Sequence, residues 1–272
     1  MNFRTEIVKT GKIALEHFSP IGEINKKRLL FIHSSSHGSW MWKHFLSYFA
    51  QRHYDSWAIN LRGHYLSEPV EDWSEVGAQD YLEDIDLAVK KISDNIVLIG
   101  HSMSGLLILK YAETHALSGL IVSQSGPPVS ILQKRGIESK KIMSKRVQRL
   151  VTDKAILPLQ DKEMIKTILF DKNNVDDDTV LFVQKNMGEE SLRAGQEIMR
   201  LTIDPLKISA PLYILGFDAS KLGMQLPIDV SKVLAEEFNA RSYIVIEPGG
   251  HDYMLEKNWE DFARQFEAWI NF

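Results

Sequence analysis

The stretch Asn95-Ile96-Val97-Leu98-Ile99-Gly100-His101-Ser102-Met103-Ser104-Gly105-Leu106-Leu107 decides how the chain is read. An apolar, β-branched run with the character of a buried strand meets a serine among small residues, and a helical pattern follows. A backbone that turns from strand to helix this abruptly needs small residues two places before and two places after the turning residue. Gly100 and Ser104 fill those positions. Such a turn lifts the Ser102 hydroxyl above the sheet edge at a helix N-terminus, where the dipole favours developing negative charge. Serine is also a preferred N-cap and can open a helix without any chemistry. The strand before, the helix after and the partners elsewhere in the chain favour the nucleophile.

On either side of this stretch, short apolar runs recur at Arg28 to His33, Asp55 to Leu61, Gly119 to Ser123, Pro211 to Phe217 and Arg241 to Glu247. Helical patterns separate them, as in Tyr81, Ile85, Ala88, Val89 and Ile92, which share one face at a period of 3.6. Similar stripes run from Trp42 to Phe49 and from Trp259 to Ile270. This alternation predicts an α/β fold: a mostly parallel sheet of about eight strands with helices on both faces. Phe3 to Val8 and Lys12 to Phe18, joined by Thr10-Gly11, predict an antiparallel hairpin leading into it. From Gly126 to about Pro205 the rhythm breaks into amphipathic patterns such as Met164, Ile165, Ile168 and Leu169, without a convincing strand. The expected organisation is a core of residues 1–126 and 206–272 carrying a helical cap, or lid, over 127–205.

Composition narrows the function. With 272 residues, 44% of them apolar and 25% charged, the chain has the make-up of a globular enzyme rather than a disordered one. Thirty-two basic residues against 36 acidic ones leave a net charge of −4, which offers no electrostatic reason for a nucleic-acid partner. Cysteine is absent, so neither disulfides nor a thiolate zinc site can form. The acidic run Asp176-Asp177-Asp178 lacks the spacing of a calcium loop and reads as a solvated loop or a helix start. The basic run from Lys140 to Arg149, interleaved with Ile142, Met143 and Val147, reads as a cap helix with a solvated face. No signal peptide or membrane span is visible, so no stable membrane insertion and a cytoplasmic location are the expectation.

The elbow and its surroundings resemble the α/β-hydrolase family over nearly the whole chain, with Ser104 where the family usually has a second glycine. The resemblance implies an oxyanion loop at Leu30-Phe31-Ile32-His33-Ser34-Ser35-Ser36-His37-Gly38, where Ser34 replaces the usual glycine. It implies that the amides of Ser35 and Met103 hold the oxyanion, with His33 bracing the loop. Asn60-Leu61-Arg62-Gly63-His64-Tyr65 matches a further family turn, read as architectural. His251, in Glu247-Pro248-Gly249-Gly250-His251-Asp252 just past an apolar run, stands where the family has its base, and imidazole suits proton transfer near neutral pH. Asp218, two residues after Gly216, is the expected acid. The family's aspartate usually lies one place later, where Ala219 stands, and Asp229 and Asp252 are the fallback carboxylates.

The implied activity is hydrolysis of a small-molecule carboxylic ester through an acyl-enzyme, on a small to medium apolar acyl group, with no metal or organic cofactor. His37, Trp40, Met143 and Met164 are the expected substrate-binding residues. Thioesterase, carbon–carbon hydrolase and hydroxynitrile lyase chemistries use the same triad and stay open, as does a non-catalytic receptor that binds a small ligand without turning it over.

Overall fold

The structure is a computed structural model and describes residues 3–24, 27–137, 149–217 and 229–271. Its strands are β1 (Phe3–Thr10), β2 (Ile13–Pro20), β3 (Arg28–Ile32), β4 (Asp55–Asn60), β5 (Ile96–His101), β6 (Gly119–Ser123), β7 (Ala155–Ile156), β8 (Glu190–Ser191), β9 (Leu212–Leu215) and β10 (Ser242–Ile244). Eight of them form one sheet in the order β1-β2-β4-β3-β5-β6-β9-β10. The β1–β2 hairpin is antiparallel, as is its junction with β4, and every later pairing is parallel. The hairpin turns at Gly11, whose φ of 55° glycine adopts without a side-chain clash.

The strand period of two divides the core. Leu29, Phe31, Val97 and Ile99 face one layer, where they meet Trp42, Phe45, Phe49, Phe266 and Trp269. Leu30, Ile32, Ile96 and Leu98 face the other, against Tyr81, Ile85, Leu106 and Ile108. Helices therefore cover both faces: α1 (Lys43–Ala50) and the C-terminal helix Trp259–Ile270 on one side, α2 (Ala78–Ile92) and α3 (Met103–Ala112) on the other. Central strands covered in this way are continuous apolar runs because neither face meets water.

The register places the site. Ile32 lies opposite Gly100 and His101 opposite Ser123, so β3, β5 and β6 end side by side at one edge of the sheet. In open α/β sheets, ligands bind beyond these carboxyl ends.

The described residues of 127–205 contribute nothing to the main sheet. They hold the helices Val129–Lys134, Lys162–Leu169, Asp177–Asn186 and Leu192–Met199, and Asp176 caps the third by accepting from Thr179 N at 2.8 Å. The expectation of a segment without strands needs correction, because β7 and β8 pair antiparallel with Ala155 opposite Ser191. Strands of two residues are too short to show an alternation, so periodicity could not reveal them. The basic run from Lys140 lies outside the described residues except for Arg149.

Candidate active site

Ser102 joins β5 to α3 with φ 55° and ψ −115°, a strained conformation for any residue carrying a side chain. Its hydroxyl makes no capping hydrogen bond to the helix it opens, which removes the structural reason for a serine there. The turn is held by Ser102 N donating to Ser123 O at 2.8 Å and Gly105 N donating to Ser102 O at 3.0 Å. A Cβ at position 100 would stand 2.6 Å from the Ser104 carbonyl oxygen, so this turn requires glycine. Ser104, where a second glycine was the norm, is fully buried, and its hydroxyl donates to the His33 carbonyl. The departure from the pattern thus ties the elbow to the end of β3.

The loop after β3 is oriented by hydrogen bonds to its peptide units. His33 Nδ1 donates to Ser34 O at 2.7 Å, and His37 N donates to the same oxygen at 3.3 Å. His33 Nε2 accepts from Leu61 N at 3.1 Å, which sets its tautomer. Burial holds this imidazole well below the usual histidine range, so it braces the loop as a neutral ring. Because the peptide is planar and trans, fixing the Ser34 carbonyl aims the Ser35 N–H the opposite way. The next peptide is pinned at both ends, with Ser35 O accepting from His37 Nδ1 at 2.7 Å and Ser36 N donating to Glu190 Oε2 at 3.3 Å. The Met103 amide opens α3, where first-turn N–H groups lack intrahelical acceptors.

Exposure picks out the same atoms. Along 29–42 every residue is buried except Ser35, and along 96–109 every residue is buried except Ser102 and Met103. His251 is also half-buried, and its ring lies 4.6 Å from that of His101, the residue before Ser102. Ser35, Ser102, Met103 and His251, the residues expected to supply the oxyanion amides, the nucleophile and the base, are therefore the partly exposed ones at this sheet edge.

His251 sits in a loop that glycine permits for a reason other than flexibility. A Cβ on Gly250 would lie 2.4 Å from Phe170 Cα, and one on Gly249 would lie 2.6 Å from Phe262. The loop thus packs directly on the main chain of the 127–205 segment, and Asp252 N donates to Leu169 O at 2.6 Å. Burial pushes His251 down to about 4, with Asp252 pulling upward and His37 downward. The ring is neutral at pH 7, as a base must be. Its Nδ1 lies 3.1 Å from Gln124 Oε1.

Asp218 lies outside the described residues, as does Met143. The fallback carboxylates are engaged elsewhere. Asp229 caps the helix Val230–Glu237, accepting from Lys232 N at 3.0 Å, and also accepts from the Tyr243 hydroxyl. Asp252 Oδ2 lies 2.9 Å from His37 Nε2, both side chains being buried. Burial opposes charge on His37, but Asp252 and the Ser35 carbonyl outweigh it and raise its pKa, which favours the protonated ring beneath the loop after β3.

Among the expected substrate contacts, His37 has both ring nitrogens committed in that pair and stacks on Trp40 at 5.0 Å. Trp40 is buried and meets the edge of Phe182 from the 127–205 segment at 5.6 Å. Met164 is half-buried against the same core layer. The Arg62 turn is architectural in its contacts: Arg62 Nη2 and Nε donate to Asp84 Oδ1 at 2.8 and 3.0 Å. Gln124, Glu190 and the His37–Asp252 pair were not singled out in the sequence. Only the polar residue following the apolar β6 hinted at the first.

These features describe a strand–serine–helix site of the hydrolase type on an open α/β sheet. The profile of the alpha/beta hydrolase family matches residues 29–265, and the chain belongs to that family. No curated protein matches it. Among solved structures, an E-2-(acetamidomethylene)succinate hydrolase superposes with a TM-score of 0.63 at 15% identity, covering 99% of this chain and 100% of that one. Tomato methylketone synthase I, solved with 2-tridecanone, gives 0.69 at 15% identity over 91% of this chain and 99% of that one. A Thermogutta terrifontis esterase, solved with malate, gives 0.68 at 17% identity over 98% of each. At such identities these likenesses speak for the fold.

Proposed function

We propose that the chain is a serine hydrolase that cleaves carboxylic esters of small to medium apolar acyl groups through an acyl-enzyme. Ser102 attacks the acyl carbon while His251 Nε2 takes its proton, and the oxyanion rests on the amides of Ser35 and Met103. The leaving alcohol receives the proton from His251, and water then releases the acid by the reverse roles. Each preorganised amide lowers the barrier by roughly 3–4 kcal/mol. The carrying observation is Ser102 itself: a strained, uncapped serine whose preceding residue lies against a neutral histidine ring. The esterase among the structural neighbours supports the choice of bond.

Residues 127–205 serve as the lid in this proposal, with Trp40 and Met164 toward the acyl group and His37 supporting the loop from beneath; Met143, expected from the sequence to join them, lies outside the described residues. Among the described residues, no helix is long and apolar enough to cross a membrane. The test is hydrolysis of p-nitrophenyl esters of increasing acyl length by the native protein and by Ser102→Ala. Native turnover reduced by at least about 10³-fold in the variant is expected. Hydrolysis that survives the substitution overturns the proposal. In the same assay Asp218→Asn tests the acid expected from the sequence.

A further inference from the structure

We propose that Gln124, a neutral amide at the end of β6, is the positioning residue that holds His251 in its working tautomer, a role the resemblance implies for the carboxylate of Asp218 instead. This rests on the reading of His251 as the general base. Gln124 Nε2 donates to Gly250 O at 2.9 Å, and a carbonyl can only accept, so this bond settles which end of the amide is nitrogen. Oε1 then faces His251 Nδ1 at 3.1 Å, and between two such atoms the imidazole must be the donor. Nδ1 carries the proton, and Nε2 is left with the lone pair that the serine needs.

Gln124 is built to keep that orientation. Its side chain is buried, both ends of its amide are used, and its backbone sits at φ 51° with N donating to Leu215 O at 2.7 Å. Because β6 adjoins β5, the residue stands one strand away from Ser102. Among the described residues no carboxylate makes a hydrogen bond or ion pair with His251: its Nδ1 meets Gln124, while Asp229 accepts from Tyr243 and Asp252 Oδ2 faces His37. Among the described residues, the ionisable groups facing His251 are His101 from β5, His37 from the loop after β3 and Asp252 beside it in the chain. His101 is held neutral by burial, so the ring is oriented by a dipole and gains little charge stabilisation when it takes a proton. The expected enzyme is slower than one with a carboxylate here, but it works in more acidic solution.

Histidine ¹⁵N NMR of the whole protein tests this without requiring a substrate, with His251→Asn identifying the resonance. The native spectrum should show His251 as the Nδ1–H tautomer at neutral pH. Gln124→Met, of similar shape but without the amide, should lose that single tautomer and lower kcat on esters on the order of tenfold or more with KM little changed. Gln124→Glu should restore the acceptor and raise the titration midpoint of His251, carrying the acid limb of kcat with it. An Nε2–H tautomer in the native protein overturns the inference even if neither variant folds. So does a tautomer and midpoint left unchanged in both variants, or a kcat that falls in Asp218→Asn but not in Gln124→Met. A native protein that shows the expected spectrum but hydrolyses no ester counts against the proposed activity and leaves the positioning role standing.

Discussion

Ser36, Ser102 and Gln124 hold positive φ values of 63°, 55° and 51° on the loops that follow β3, β5 and β6. Each such backbone costs on the order of 1–3 kcal/mol for a residue with a side chain, and the three meet at one sheet edge. The surrounding hydrogen bonds keep them there. His251, next to them, titrates in a setting that disfavours its charged form. Activity needs the neutral ring, so depression of its pKa moves the acid limb of kcat/KM downward, away from 6.5 and toward about 4. The protein should therefore keep most of its kcat/KM at pH 5.5; a limb centred at 6.5 or above contradicts the buried setting. At this scale Ser102 and His251 stood out as candidates because each follows an apolar run in a recognisable local pattern. Gln124 did not, since its contact with His251 spans 127 residues of sequence. Asp218 lies outside the described residues, so its expected role passes to the variants.

The elbow and the glycine-bearing loop show why particular elements end as they do. The glycine at position 100 is dictated by the Ser104 carbonyl beyond the turn, so Gly100→Ala must displace the serine or the strand. The expected outcome is a kcat reduced by about tenfold or more and a melting temperature lowered by a few degrees, from an overpacking cost of roughly 1–3 kcal/mol. Unchanged activity would show that the turn relaxes without moving Ser102. The eight sheet strands were visible in the sequence because their apolar runs of four to eight residues are bounded by turns. The predicted ends drifted by one to three residues where packing, rather than composition, stops the ladder. Pro211 to Phe217, for example, contracts to Leu212–Leu215. β7 and β8 escaped notice because pairing with each other, and not their own composition, makes them strands.

Across the whole molecule, the 127–205 segment is fastened to the sheet edge by polar groups buried between them. Glu190 at the start of β8 accepts from the Tyr81 hydroxyl, from Ser191 N at 2.8 Å and from Ser36 N, and its Oε2 lies 3.3 Å from His64 Nε2. That last contact is bent away from hydrogen-bond geometry and acts chiefly through charge. Burial opposes both charges, yet each partner holds the other ionised, His64 above its usual range and Glu190 below. Removing one charge strands the other, so Glu190→Leu should cost about 3–5 kcal/mol, and His64→Leu added to it should recover part of that loss. Chemical denaturation of the two variants checks this; strictly additive effects contradict an ionic link. Nothing in the sequence joins His64, Tyr81 and Glu190, because only the folded chain brings such distant positions together.

If Ser102 is a nucleophile activated by His251, covalent labelling with a fluorophosphonate reads it without any assumption about the substrate. Mass spectrometry of the labelled, digested protein should place one adduct on the peptide carrying Ser102. Ser102→Ala should abolish that adduct and His251→Ala should slow its formation by at least about 10²-fold. A protein that takes up no label, or takes it equally well in Ser102→Ala, contradicts the claim.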